Sequence, residues 1–329
     1  MWRRNFRFFL LACLGFQSCF CLIACADDDE LHIAGLEWIL EQNANRPPNA
    51  NAYFHNHPLP AGQNHLRVLA IGNSFSSDAL CFVSEILSNL GVDSDSYSAY
   101  GASHNAATLE HWCEVATQNA TVELTHFGGA KMAVEQGTLQ EILAQQWDVI
   151  ILLQYSYDAI KYDTYNPWLH QLIDLIQQYC TNPKVTLAWH MPWSYDDTYI
   201  TDYTNYERWL LITLAVQEMM WNDGIDVIIP VGTAIQNART TSLNSESQLT
   251  SDGWHLDHGI GRYIAACTLV QAIFGPVYGI SVLGNTAMPN MGEHSPTRYV
   301  SVPVTEENRS ICQSCAVNAV LQPFKVTTL

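Results

Sequence analysis

The feature that most constrains the fold is a regular alternation of short apolar runs with longer helical patterns, which begins near residue 65. Five apolar runs have the length of buried strands, at 66–71, 95–100, 147–153, 184–189 and 225–229. Segments with apolar residues at helical spacing lie between and after them, at 78–90, 105–116, 139–145, 167–179, 206–221 and 259–274. Because such helices are too long for hairpin connections, the strands should pair in parallel through right-handed crossovers. The sequence therefore predicts an α/β fold, a three-layer αβα sandwich around a five-stranded parallel sheet.

This sheet also indicates where a functional site should lie. In open parallel sheets, ligands bind in the crevice at the carboxyl ends of the strands. The first predicted strand runs into the turn GNSFS at 72–76, and SDGWHLD at 251–257 comes just before the last long helix. We therefore expect Ser74, Asp252 and His255 to face this crevice.

The chemistry of a catalytic serine explains why these three residues matter together. A serine hydroxyl is a poor nucleophile unless a base removes its proton, a carboxylate orients that base and donors hold the oxyanion. Asp252 and His255 are three residues apart, so the carboxylate can accept from one ring nitrogen while the other nitrogen faces the serine. Taken singly, Ser74 fits a helix N-cap or turn residue, and His255 fits a surface or capping histidine. The combination predicts a Ser-His-Asp hydrolase.

Three short motifs resemble those of a known family. GNSF at 72–75 resembles block I of the SGNH (GDSL) hydrolase superfamily, and DGWH at 252–255 resembles its block V. Gly101, in YGAS at 100–103, resembles the block II glycine. The resemblance covers roughly residues 65–277 and implies a flavodoxin-like SGNH hydrolase fold.

The resemblance also implies a role for each site residue. Ser74 would be the nucleophile, His255 the general base and then the general acid, and Asp252 the carboxylate that orients it. The oxyanion hole would use the backbone N–H groups of Ser74 and Gly101. Where the superfamily commonly has Gly-x-Asn-Asp after the third strand, this chain has LLQYS, so we expect the Gln154 amide to replace the asparagine. This departure resembles an uncharacterised branch of the superfamily.

Aromatic residues and a histidine near the predicted site have two interpretations. Tyr155, His190, Trp193 and Trp254 follow predicted strands or flank His255, so they are expected at the rim of the crevice. Rings at such a rim either stack on sugar faces or serve as ordinary packing residues. His190 is a rival base, which we rank below His255 because no carboxylate accompanies it at close spacing.

The motifs predict neither a metal nor a cofactor. A zinc site needs three or four ligands of matching spacing, and His255 with His258 is the only close pair after Asp252. We interpret His104, His111 and His258 as structural or exposed. The chain also lacks the phosphate-binding patterns GxGxxG and GxxxxGKS/T, which argues against dinucleotide and nucleoside triphosphate use.

The amino terminus resembles a lipoprotein signal peptide. Residues 1–24 combine a basic start with an apolar stretch, and LIAC at 22–25 resembles the lipobox that precedes a lipid-modified cysteine, here Cys25. The alternative, a transmembrane anchor, would need a longer uninterrupted apolar run. The run ADDDE at 26–30 resembles a surface export signal, and it also fits a solvated tether. These features predict an exported bacterial lipoprotein of the outer membrane, surface-exposed and held to the membrane by its lipid anchor.

The remaining segments divide into a tether, a hydrolase domain and an extension. Residues 25–64 are acidic and then rich in Asn and Pro, which disfavours regular structure apart from a short helix at 33–40. The SGNH hydrolase domain is expected at 65–277, followed by a C-terminal extension at 278–329.

The cysteines fit an exported protein. Cys312 and Cys315 form a CxxC pair without the strand-then-helix context of a redox motif. We expect a structural disulfide instead, from this pair to Cys267 or between the two, and the sequence leaves the pairing open. The other cysteines of the folded part are expected to be buried as small apolar residues: Cys81, Cys113 and Cys180.

Composition narrows the function further. The chain has 14 Lys and Arg against 32 Asp and Glu, a net charge of -18, and it has no basic stripe, which excludes a nucleic-acid binder. Its 48% hydrophobic and 14% charged residues exclude a disordered protein. We predict a serine esterase that deacylates, in particular deacetylates, carbohydrates at the cell surface. Two alternatives stay open: a catalytically inactive glycan-binding lipoprotein on the same fold, and a lipase or thioesterase acting on acyl chains.

Overall fold

A computed structural model describes residues 28–44, 46, 57–127, 133–244, 248–289 and 301–329. The predicted signal peptide, the lipidation site Cys25 and part of the predicted tether lie outside the described residues. All statements about the structure below concern the described ranges.

The core of the protein is a single sheet of seven strands. The strands are β1 (Leu66–Gly72), β2 (Tyr97–Ser103), β3 (Thr121–His126), β4 (Ala133–Thr138), β5 (Val149–Leu152), β6 (Thr186–His190) and β7 (Val227–Ile229). Their order is β4-β3-β2-β1-β5-β6-β7. The five predicted strands correspond to β2-β1-β5-β6-β7, which are all parallel, so the predicted flavodoxin-like arrangement is confirmed.

The sheet has two strands more than predicted. β3 and β4 extend the β2 edge in antiparallel fashion. The periodicity of apolar residues does not reveal them because they lie at the solvent-exposed edge, and the first four residues of β4 are all exposed. The core of the sheet is five-stranded and parallel, as predicted, and the whole sheet is mixed.

Eleven helices cover the described part of the sheet. They are α1 (Asp28–Ala44), α2 (Ser74–Leu80), α3 (Val83–Asn89), α4 (Leu109–Gln118), α5 (Leu139–Leu143), α6 (Trp168–Tyr179), α7 (Asn205–Asn222), α8 (Val231–Arg239), α9 (Ile260–Leu269), α10 (Gly275–Tyr278) and α11 (Glu306–Leu321). A π-helical segment, Val270–Phe274, joins α9 to α10. Helices α2, α3, α8, α9 and α11 bury their apolar residues on one face of the sheet, and α1 and α4 to α7 bury theirs on the other.

The side chains of β1 alternate between these two layers. Leu66, Val68 and Ala70 join the core under α2 and α9, whereas Leu69 and Ile71 join the core under α4 and α6. A strand that is apolar on both faces is the expected pattern for a parallel sheet covered on both sides. The structure is therefore the three-layer sandwich that the sequence predicts.

The helix after β1 differs from its prediction at its start and in its middle. The pattern at 78–90 predicts one helix, but the structure has α2 from Ser74 and α3 from Val83, with a break at Cys81 and Phe82. The start at Ser74 is set by Asn73, whose side-chain oxygen accepts the Phe75 N–H as an N-cap.

Segments at both ends of the chain pack on the same body. α1 is longer than the helix predicted at 33–40, and its Leu36 and Leu40 are buried in the layer that contains α7. α11, in the predicted extension, packs against α8 and α9. The helix that runs from Ile260 to Tyr278 is apolar and long enough to cross a membrane, but most of it is buried inside the protein.

The expected disulfide is absent from the described residues. Cys267 on α9 and the pair Cys312 and Cys315 on α11 are all free thiols, and all three are buried in the apolar layer between these helices. Burial raises the pKa of Cys315 to about 12 and raises those of Cys267 and Cys312 as well. Because oxidation proceeds through the thiolate, this environment disfavours it, and these cysteines act as packing residues.

Candidate active site

The end of β1 positions Ser74. Gly72 is the last strand residue, and a Cβ atom there would lie 2.2 Å from the Leu153 side chain, so a glycine is needed where the chain turns into α2. The next residue, Asn73, is buried, and its amide donates to the Ala107 carbonyl over 3.1 Å. Ser74 follows as the first residue of α2, half-buried at the carboxyl end of the central strand. This is the edge at which ligands bind in open parallel sheets.

Ser74, His255 and Asp252 form a continuous hydrogen-bonded chain. The Ser74 Oγ lies 2.9 Å from His255 Nε2, and His255 Nδ1 lies 2.8 Å from Asp252 Oδ2. A neutral histidine with its proton on Nδ1 donates to the carboxylate and accepts the serine hydroxyl proton at Nε2. The structure thus brings together the three residues that the sequence predicted, from positions 181 residues apart.

The loop that carries His255 is closed on itself. The Ser251 N–H donates to the His255 carbonyl over 2.8 Å, and the Asp257 N–H donates to the Leu249 carbonyl over 2.8 Å. Gly253 takes a φ of 94°, a left-handed conformation that favours glycine, and this turns Asp252 back toward the histidine. The spacing of three residues therefore becomes a direct contact between the two side chains.

Hydrogen bonds keep Asp252 ionised. Partial burial by itself would raise the pKa of Asp252, but hydrogen bonds from the His255 ring and from the N–H groups of His255 and Trp254 outweigh it and hold the pKa below its usual value. At neutral pH this carboxylate is therefore negative. A negative partner stabilises the imidazolium that forms when the histidine takes a proton.

The prediction that Gln154 donates to an oxyanion is wrong. Its side chain is 1% exposed, and its amide nitrogen donates to the Thr164 carbonyl over 2.8 Å. Its amide oxygen accepts the N–H groups of Leu109 over 3.1 Å and Tyr155 over 2.9 Å. Gln154 therefore braces three backbone segments from inside the protein and has no donor directed at the crevice.

The prediction for Gly101 is also wrong. β2 continues to Ser103, so Gly101 lies inside the strand, paired in register with Ala70, rather than directly after it. The crevice begins beyond the pair of Gly72 with Ser103, two positions further along. A Cβ atom at Gly101 would lie 3.0 Å from the Phe127 ring, so this glycine serves close packing within the sheet.

The crevice beside Ser74 is a small cavity lined by polar residues. Its volume is about 250 Å³. Its walls include residues that the sequence analysis did not select, namely Ser77, Asp78, Ser103, Asn105, Ser251 and Arg262, together with His258. Ser103 is the last residue of β2, and Asn105 lies in the turn that follows. The polar run Ser103-His104-Asn105 is the sequence signal that could have identified these wall residues. Asn105 is exposed in the turn after β2 and carries an amide donor.

Two of the four predicted rim residues are buried. Trp193 stacks on Phe75 with ring centroids 3.8 Å apart, and its Nε1 donates to the Trp254 carbonyl over 2.6 Å. His190 is buried, and burial lowers its pKa to about 3, so it is neutral and is no rival base for Ser74. His190 is the last residue of the buried strand β6, and the segment that follows it, with Trp193, is buried as well.

The other two rim residues are partly exposed. Tyr155 is half-buried directly after Gln154. Trp254 stacks on Tyr199, which is 44% exposed, with centroids 5.6 Å apart, and its ring also contacts His255. Tyr199 was missed because nothing in its local sequence marks it as close to residue 254. The pair of Trp254 and Tyr199 forms an aromatic surface at the mouth of the site.

Within the described ranges, no group of three or more His, Cys, Asp or Glu residues could hold a metal ion. The groups that the site does offer are a hydroxyl, an imidazole, a carboxylate and nearby amides. These are the groups of acyl-transfer chemistry.

Comparisons with known proteins agree with the fold. A family model described as a domain of unknown function, DUF4886, matches residues 67–297. The chain belongs to this family. The crystal structure of a DUF4886 family protein from Bacteroides uniformis ATCC 8492 matches with a TM-score of 0.67 and 29% identity, over 80% of this chain and 98% of that one. A search of the curated proteins gives no match.

More distant solved structures are hydrolases by description. A candidate SGNH hydrolase from Slackia heliotrinireducens matches with a TM-score of 0.46 and 16% identity, over 64% of this chain and 99% of that one. A candidate GDSL-like lipase from Parabacteroides merdae ATCC 43184 matches with a TM-score of 0.45 and 12% identity, over 66% of this chain and 99% of that one.

The position of Gln154 generates a first prediction. Gln154→Ala should lower the free energy of unfolding by about 1–3 kcal/mol, because the N–H groups of Leu109 and Tyr155 lose a buried acceptor. Urea unfolding followed by circular dichroism measures this change. A variant as stable as the wild type would contradict the bracing role.

Proposed function

We propose that this protein is a serine hydrolase that cleaves ester bonds. The observation that carries the proposal is the hydrogen-bonded chain from the Ser74 hydroxyl through His255 to Asp252, with distances of 2.9 and 2.8 Å. A serine that can pass its proton to a histidine, itself held by an ionised carboxylate, is an activated nucleophile. The location at the carboxyl end of the central strand supports the same proposal.

The reaction would proceed in two steps, acylation of Ser74 and hydrolysis of the acyl-serine. Ser74 Oγ attacks the carbonyl carbon of the ester while His255 Nε2 takes the hydroxyl proton. The imidazolium, stabilised by Asp252, then gives this proton to the leaving alkoxide, and the acyl group stays on the serine. Water repeats the sequence: His255 takes one of its protons as it attacks the acyl-serine, and the proton returns to Ser74 as the acid leaves.

The oxyanion would be held by one expected donor, the Ser74 N–H, and by one donor that the sequence analysis did not select. The Ser74 N–H is at the first position of α2, where no preceding helical carbonyl can accept it. The Asn105 amide lies on the wall of the same cavity and can supply a second donor. Asn105 would thus take the place of Gly101 and Gln154 beside the Ser74 N–H.

The size and polarity of the cavity favour a short acyl group. Its volume of about 250 Å³ accommodates an acetyl group, and its walls carry hydroxyls, an amide and charged groups. A lipase or thioesterase for long chains needs an extended apolar groove, and the described walls of this cavity do not form one. Acetyl esters are therefore the favoured substrate class over long acyl chains.

The aromatic surface favours a carbohydrate as the alcohol part of the ester. The Trp254 ring contacts His255 and stacks on the exposed Tyr199 ring, and such rings stack on the apolar faces of sugars. The signal peptide and Cys25 predicted from the sequence would place this activity on the outer surface of a bacterial cell. We therefore propose a surface lipoprotein that deacetylates glycans.

The catalytic serine is tested by covalent labelling. The wild-type protein should react with a fluorophosphonate probe, because only an activated serine attacks phosphorus, and Ser74→Ala should lose both the label and esterase activity. Ser88→Ala is the matched control, since it removes an exposed hydroxyl on the neighbouring helix α3, outside the walls of the cavity. An unlabelled but folded wild-type protein would favour the inactive glycan-binding alternative.

The oxyanion donor is tested by Asn105→Ala. Loss of one such donor typically costs about 2.7 to 4 kcal/mol of transition-state stabilisation, so kcat should fall by roughly 10²–10³ while the unfolding curve stays unchanged. Steady-state hydrolysis of 4-nitrophenyl acetate gives kcat. Wild-type kcat in this variant would remove Asn105 from the mechanism.

The substrate class is tested by comparing esters. Acetylated oligosaccharides and 4-nitrophenyl acetate should be cleaved faster than 4-nitrophenyl octanoate. Tyr199→Ala should raise KM for the acetylated sugar and leave KM for 4-nitrophenyl acetate nearly unchanged, since Tyr199 is the outer ring of the aromatic surface and stacks on Trp254. A preference for octanoate would overturn the carbohydrate part of the proposal.

A further inference from the structure

One buried carboxylate beside the site has no role in the mechanism above. Asp78 lies one helical turn after Ser74 on α2, on the same face of the helix, and its side chain is almost fully buried. An isolated carboxylate in such a place is costly, and burial raises the pKa of Asp78. The contacts that offset this cost show what the residue connects.

Asp78 contacts both of the elements that follow His255. Its Oδ2 accepts the Leu256 N–H over 3.1 Å, directly after the histidine. Its Oδ1 accepts from Arg262 on α9, with Nε at 2.9 Å and Nη2 at 2.7 Å. One carboxylate on the helix of Ser74 therefore holds the loop of His255 and the helix that follows it.

The contact of Asp78 with the Leu256 N–H fixes the distance between the His255 loop and α2. The bridge between Thr250 and Leu256 and the bond from Ser251 to the His255 carbonyl fix the internal shape of the loop. They do not fix its distance from α2. Since small errors in the placement of reacting groups cost large factors in rate, a direct bond from α2 to the residue beside His255 matters for turnover.

We propose that Asp78 is a positioning residue, which fastens the His255 loop to the Ser74 helix and balances the charge of Arg262 beside the histidine. The inference rests on the proposed hydrolase function. Asp78 does not touch the reacting atoms, and it acts through Leu256 and Arg262.

The charges around His255 give this role a specific signature. The ionisable groups that face the histidine are Asp252 in its own loop, Asp78 on α2, and His258 and Arg262 around the start of α9. Asp78 and Arg262 form an ion pair, so their effects on the histidine oppose each other. Without the Asp78 charge, the unbalanced guanidinium disfavours the imidazolium. Lower pH is then needed to protonate the base.

The test uses a charge-neutral variant of nearly the same shape. Asp78→Asn should lower kcat for 4-nitrophenyl acetate by about tenfold or more, because the clamp on Leu256 is weakened, with KM little changed. The acidic limb of its kcat/KM profile should move to lower pH. In the double variant Asp78→Asn/Arg262→Gln, which removes both charges, the limb should return to the wild-type position while kcat stays low.

A matched control and a conservative variant complete the design. Glu85→Gln removes one carboxylate from the neighbouring helix α3, without contact to the loop, and should behave as the wild type in both rate and pH profile. Arg262→Lys keeps the positive charge opposite Asp78 and should keep the wild-type limb. If Asp78→Asn does not fold, Asp78→Glu/Arg262→Lys, which keeps both charges, takes its place. Charge balance predicts the wild-type acidic limb in Arg262→Lys and in this double variant. A limb displaced to lower pH in the double variant alone would contradict charge balance.

Two results would overturn the inference. One is an Asp78→Asn variant with wild-type kcat and pH profile. The other is a variant with lower kcat whose acidic limb does not move, which would indicate a purely structural role. Ser74→Ala distinguishes failure of the parent proposal: if it stays active, the hydrolase mechanism itself is wrong, whereas an inactive Ser74→Ala beside an unchanged Asp78→Asn removes only the role of Asp78.

Discussion

Burial of β1 at the centre of the sheet is the constraint on which the site depends. The strand pairs with β2 on one side and β5 on the other, and its side chains enter apolar layers on both faces. A one-residue slip would exchange the two faces, so the register of such a strand is strongly specified. Its end at Gly72 is thereby fixed, and the absence of a side chain there lets the chain pass Leu153 and enter α2 with Ser74.

The other half of the site is held by carboxylates instead of strand pairing. Asp252 accepts hydrogen bonds within the loop of His255, and Asp78 joins that loop to α2. Buried Asp257 accepts the Gly259 N–H over 2.8 Å and the Val302 N–H over 2.7 Å, which anchors the loop at the start of α9. Each carboxylate accepts hydrogen bonds that offset part of the cost of its desolvation. The position of the histidine is thus a property of polar contacts between distant segments.

These two kinds of constraint explain what the sequence could and could not predict. Continuous apolar runs revealed the five parallel strands, and motif order and spacing selected Ser74, Asp252 and His255. Gly101 and Gln154 were misassigned because their roles depend on tertiary detail. Nothing in a run of small residues marks where β2 ends, and nothing in the local sequence shows that the Gln154 amide is bonded to a carbonyl ten residues further on. Donors can be assigned only once their partners are known.

The central claim is that an acyl group passes through the Ser74 hydroxyl, and trapping that intermediate tests it most directly. The protein is mixed with excess 4-nitrophenyl acetate, quenched in acid within a turnover, digested and mapped by mass spectrometry. The account predicts acetylation of the peptide that contains Ser74, with the group on that serine, and its disappearance when the ester is exhausted. Turnover of the ester with Ser74 unmodified at every time point, or with the acetyl group on another side chain, would contradict it.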